Sequence, residues 1–165
     1  MDTESKIKEL LILLEKEKPK VFTTDDSGYE ELDDLDHCIF VQNRHDSEDL
    51  YILIEEEGFT LSCGDWDSHY EATEEDYGAM LTDLKDYLSG NSYLAMVYAE
   101  DEWICSLTLK CDMMDPHIIK EKIRDFLISA DCEPLFDDIK KEGANVFCVY
   151  WDGAKNRELQ LLAEK

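Results

Sequence analysis

The chain has 165 residues, 44% apolar and 10% aromatic, with 41 acidic side chains against 16 basic ones and a formal net charge of −25. That apolar content suffices for a packed core and argues against intrinsic disorder, and the length fits one domain spanning 1–165. A field of this sign repels nucleic acid and anionic lipid, but it speeds encounter with a basic protein and complements one once docked.

"TESKIKELLILLEKEKPK" carries Ile7, Leu10, Leu11 and Leu14 at helical spacing. Asp2 or Thr3 is available as cap and Pro19 marks the stop, so the first element is an amphipathic helix. "FTTDDSGYEELDDLD", from Phe22 to Asp36, is rich in acids and turn formers and reads as an exposed loop, with a helical turn open around Tyr29 to Leu35. "HCIFVQN", "DLYILIEEE" and "GFTLSCG" are three β-rich runs that read as an antiparallel meander. Alternation continues through "GDWDSHYEA", with Asp65, Asp67 and His69 on one face and Trp66, Ser68 and Tyr70 on the other.

Thr73 and Asp76 in "TEED" form a capping box for a second helix whose apolar stripe is Tyr77, Met80, Leu81, Leu84, Tyr87 and Leu88, closed by Gly90 and Asn91. "SYLAMVYAEDEWICSLTLKC" splits at Glu100–Asp101 into a hairpin, although no Asn-Gly or Asp-Gly marks the turn. Asp115 caps a third helix with Pro116 at its first position and Ile119, Ile123, Phe126, Leu127 and Ala130 as its buried stripe. A shorter helix around Leu135 to Lys141 follows. "NVFCVYW" reads as a strand, and "RELQLLAE" fits a strand and a helix equally. This order predicts an α+β fold, a mainly antiparallel sheet of five to seven strands with three to four helices packed on it.

Cys38, Cys63, Cys105, Cys111, Cys132 and Cys148 include no C-x-x-C pair, and four of them lie inside apolar, strand-like runs. With no secretory apolar region at the N-terminus and no run long enough to span a bilayer, the expectation is a soluble, cytoplasmic protein with reduced thiols. No Gly-rich phosphate cradle, G-x-S-x-G or H-E-x-x-H is present, and basic residues nowhere cluster as phosphate contacts require. Cys111, next to Lys110, is the least unfavourable nucleophile. Asp65, Asp67 and His69 have the chemistry to bind a divalent metal. Successive outward residues on a strand stand about 7 Å apart, however, so three of them need a bend to meet on one ion.

The segment "GFTLSCGDWDSHYE", the capped helix after it and "SYLAMVYAEDEWICSLTL" together resemble small acidic immunity-type proteins of bacterial contact-dependent and polymorphic toxin loci. Several of these carry a strand of the form hydrophobic-F-G-x-W-H-x-H-[FY], an amphipathic helix, and a hairpin with a tryptophan in its second strand. The matching residues are Gly64, Trp66, His69, Tyr70 and Trp103, over roughly 58 to 109. Cys63 stands where an aromatic is common, and Asp67 replaces the first histidine. The resemblance implies an inhibitor that blocks a toxin by binding it.

Composition points to a basic partner, and the resemblance implies what the chain is expected to be: a non-enzymatic, cofactor-free cytoplasmic immunity protein that occludes a basic toxin domain, such as a nuclease. The expected contact residues are Asp25, Asp26, Glu30, Glu31, Asp33, Asp34, Asp36, Asp65, Asp67, His69, Glu100 and Asp101, with Tyr29, Trp66, Tyr70 and Trp103 as aromatic anchors. The alternatives are a metal-dependent hydrolase using Asp65, Asp67 and His69, and a general acidic adaptor.

Overall fold

The computed structural model describes residues 2–23 and 35–165. It forms two compact units, residues 1–85 and 86–165, each built on its own antiparallel sheet. The class is α+β, with four helices and nine strands among the described residues, the strands divided five and four between the two sheets.

In the first unit, helix α1 (Thr3–Leu13) opens with Asp2, whose carboxylate accepts from the Ser5 amide, and buries Ile7 and Leu10. After Pro19 the chain enters β1 (Lys20–Thr23), a short strand that runs into the stretch expected to be loop. The Phe22–Thr23 part of that expected loop is strand because β1 finds a partner, with Val21 opposite Ile39 and Phe22 opposite Cys38. The expected helical turn near Tyr29 lies outside the described residues.

Strands β2 (Leu35–Val41), β3 (Leu50–Glu55), β4 (Gly58–Cys63) and β5 (Trp66–Glu71) complete a meander in the order β1-β2-β3-β4-β5. Strict alternation gives the sheet two unlike faces, because side chains of a strand point up and down in turn. Ile39, Ile52 and Leu61 form one inward row across three strands, and Val41, Leu50, Cys63 and Trp66 form the next. These side chains are buried.

Helix α2 (Glu74–Ser89) starts at Thr73, whose hydroxyl accepts from the Asp76 amide at 3.1 Å. The reciprocal half of the expected box is replaced: the Asp76 carboxylate accepts from the Glu71 amide at 2.9 Å, tying the helix to the end of β5. Tyr77, Met80, Leu84 and Tyr87 are buried, while Leu81 and Leu88 are only half-buried. Gly90, at φ +79, takes the left-handed conformation that ends the helix, and the Asn91 amide reaches back to the Asp86 carbonyl. The boundary between the two units falls inside this helix.

The second unit contains β6 (Ser92–Ala99), β7 (Glu102–Lys110), α3 (Pro116–Ser129), α4 (Glu133–Glu142), β8 (Ala144–Val149) and β9 (Arg157–Leu161), with sheet order β7-β6-β8-β9. "RELQL" is therefore a strand, decided by its pairing with β8 from Ala144–Leu161 to Cys148–Arg157. Tyr93, Ala95, Val97, Cys105, Leu107, Val146 and Cys148 pack with Ile119, Ile123 and Leu127 of α3 and Phe136 and Ile139 of α4. The buried line of α3 advances in steps of four residues and so drifts about 40° per step around the helix. Phe126 is consequently 41% exposed, and Ala130 is exposed too, contrary to the stripe expected from spacing.

Candidate functional site

The expected contact residues divide between the two units. Asp25, Asp26, Tyr29, Glu30, Glu31, Asp33 and Asp34 lie outside the described residues, and Asp36 is placed only as a backbone position in β2.

On the first unit, β4 turns into β5 through Gly64 and Asp65, with Cys63 paired to Trp66 and Gly64 at φ +57. Asp65 is thus an exposed turn residue and not part of the strand face expected for it. Along β5 the alternation puts Asp67 and His69 outward and exposed, whereas Trp66 and Tyr70 are 6% and 8% exposed and face the core. The Tyr70 hydroxyl donates to the Asp83 carboxylate at 2.7 Å, and burial together with that anion holds its proton well above the ordinary tyrosine range.

His69 is engaged across the sheet: its Nδ1 lies 3.2 Å from the Thr60 hydroxyl, which in turn donates to Glu55 at 3.3 Å. These contacts tie His69 to its cross-strand neighbour Thr60 on β4. Among the described residues, no three His, Cys, Asp or Glu side chains converge closely enough to hold a metal ion.

On the second unit, Glu100 and Asp101 form the two-residue tip of the β6–β7 hairpin, between the paired residues Ala99 and Glu102. Both have positive φ, 50° and 67°, which is the mirror-image turn that matches the twist of paired strands. Asp101 tolerates this conformation as Asn does, whereas Glu100 has neither the freedom of Gly nor a short side chain that bonds locally, so the strain of the tip falls on Glu100.

A bulge follows immediately. Val97 pairs with Cys105 but Tyr98 pairs with Trp103, leaving Ile104 as the extra residue. Cys105 lies on the core face; without the bulge Trp103, two positions away, would share it. The inserted residue turns Trp103 to the opposite face, beside Tyr98, where it is 52% exposed. Its indole N–H donates to the Ser106 hydroxyl at 2.9 Å. On the same face Tyr98 meets Phe147 edge-on, with ring centroids 5.4 Å apart, and Phe147 is 40% exposed.

Carboxylates lie at the tip and on this face, while Glu102 pairs with Ala99 on the core side and Glu142 ends α4, which packs there. Glu100, Asp101 and Glu102 are exposed, and exposed Glu158 lies directly across from Phe147. The Glu142 carboxyl hydrogen-bonds that of Glu100, and this contact with a like charge raises its proton affinity, against the opposing effect of neighbouring Lys141.

Sequence reasoning identified Trp103, Glu100 and Asp101 but missed Tyr98, Phe147 and Glu158. Tyr98 and Phe147 sit in strands that are apolar on both faces, "SYLAMVYA" and "ANVFCV", where alternation carries no information about which side is wet. Glu158 is recognisable only once β8 and β9 are paired.

The chain matches no family model, no curated protein and no solved structure.

Proposed function

We propose that this chain is a non-enzymatic binding protein that occludes a basic protein partner, acting in the cytoplasm as the immunity protein of a bacterial toxin. The observation that carries the reading is the charge surplus: 41 carboxylates cannot be neutralised by 16 cations within the chain, so at least 25 are left for solvent or a partner. The fold keeps those carboxylates wet. Asp65, Asp67 and Glu71 at the edge of the first sheet, and Glu100, Asp101 and Glu102 at the hairpin tip of the second unit, are all exposed.

Exposed acids occur on nearly every element described, so charge by itself attracts a cationic partner without selecting a face. Aromatic groups supply the selection, because binding energy concentrates on desolvated aromatic anchors while rim charges chiefly set the association rate. Trp103 meets that requirement. Trp66 and Tyr70 serve the core of the first unit.

The reading predicts that a toxin domain, a basic nuclease, is encoded immediately upstream of this chain's gene, and that domain is the partner for the test. Mixing the two is expected to give a stable complex and abolish nuclease activity, with an association rate that falls steeply from low to physiological salt. A nuclease that remains fully active in the presence of excess chain overturns the proposal.

A further inference from the structure

We propose that the outward aromatic face at the β6–β7 hairpin tip is the seat for an arginine side chain of the basic partner, with the Trp103 indole stacked on the guanidinium and the adjacent carboxylates as its counter-charges. This rests on the reading of the chain as a binder of a cationic protein and adds to it the place and the side-chain chemistry of recognition.

Three features of the hairpin converge on that assignment. First, the bulge at Ile104 takes Trp103 out of phase with Cys105 and Leu107 and sets it outward. A sheet that buried this tryptophan would gain from removing its large apolar surface from water. Second, the indole N–H is already satisfied by Ser106. What remains available is the flat, electron-rich ring, which favours a cation over its face and offers no donor to an anion. Third, the neighbouring groups on this side are acidic: Glu100 and Asp101 at the tip, and Glu158 on the same face opposite Phe147.

The same chemistry occurs inside the fold, where Lys6 lies over the Tyr77 ring and Lys140 over the Phe136 ring. Arginine fits this face better than lysine. Its guanidinium is planar and weakly hydrated, stacks on aromatic rings and bonds carboxylates through a fork of N–H groups, whereas an ammonium holds its water. Another copy of the chain is a poor occupant because two bodies of charge −25 repel. The same field keeps away nucleic acid and anionic membrane.

The experiment titrates the full chain with an oligo-arginine peptide and an oligo-lysine peptide of equal length, by calorimetry and by tryptophan fluorescence. Trp66 and Trp151 are buried, so the solvent-sensitive part of the emission reports Trp103. The expected result is about fivefold tighter binding of the arginine peptide, with a fluorescence change, since one exposed stacking contact is worth about that factor. Trp103→Ala should abolish the difference between the peptides while leaving binding of the lysine peptide intact. Phe147→Ser, a second partly exposed position, should reduce the difference as well.

Equal affinities for the two peptides, or a preference that survives Trp103→Ala, overturn the arginine seat and leave the cationic-partner reading standing. Failure of both peptides to bind overturns that reading too. Self-association that shields Trp103 from a fluorescence quencher in the absence of peptide overturns the choice of occupant.

Discussion

Burial changes the acid–base behaviour of several side chains far from the surface. Desolvation disfavours a thiolate, and it pushes the thiols of Cys38 and Cys148 up to about 11 and that of Cys105 up to about 12, from an ordinary 9.0. Tyr70, Tyr77 and Tyr93 are raised above the ordinary tyrosine value for the same leading reason. In each case the folded state binds the proton more tightly than the unfolded one, so the associated stability is complete below the unfolded pKa and lost as pH rises through the folded one. The urea midpoint should therefore hold steady to about pH 8 and then fall continuously from about pH 9 to about pH 11. A midpoint that stays level across that alkaline window would show that these thiols and phenols are not shielded from water. The cysteines were readable as small core residues from their apolar neighbours, but the Tyr70–Asp83 hydrogen bond joins groups thirteen positions apart and needs α2 folded against β5 to exist.

The β6–β7 hairpin shows what a local pattern can and cannot specify. Glu100–Asp101 is legible as the break between two strands because three acidic residues interrupt two apolar runs. The turn type is not legible, since Glu100 does not favour the left-handed conformation that it and Asp101 both adopt. Pairing of the flanking strands, from Ser92–Lys110 to Ala99–Glu102, holds them there. Replacing the pair by Asn-Gly, as Glu100→Asn with Asp101→Gly, should stabilise the protein by about 1–2 kcal/mol, measured as an increase in the urea midpoint at unchanged slope. No gain, or a loss, would mean that the tip is not strained in solution. Helix caps were legible: Thr73 and Asp115 cap as expected, and of the two candidates Asp2 and Thr3 it is Asp2 that caps the first helix, because a cap is decided within three or four residues. Short β1 and ambiguous β9 were the least legible, because each is a strand only through the partner it pairs with.

At the scale of the whole molecule, electrostatic self-repulsion is the largest cost the charge imposes. A net charge of −25 on 165 residues destabilises any compact state, and added salt screens it over distances beyond about 10 Å. Raising sodium chloride from low to moderate concentration should increase the thermal midpoint, by a few degrees or more, in a scanning calorimeter. A midpoint that is unchanged or lower would indicate that internal ion pairs such as Lys6–Glu74 and Lys120–Glu164 outweigh the surplus. By itself the sequence determined the α+β class, the caps, most strand and helix positions, the inward and outward faces of β5 and the sign of the surface field, because all of these follow from composition or from periodicities spanning a few residues. Only the tertiary structure decided that the strands divide into two sheets, that Trp103 faces outward and that Tyr98, Phe147 and Glu158 join it. Those outcomes depend on which distant strands hydrogen-bond and where one residue is inserted in the ladder, and a single residue of register reverses every side chain beyond it.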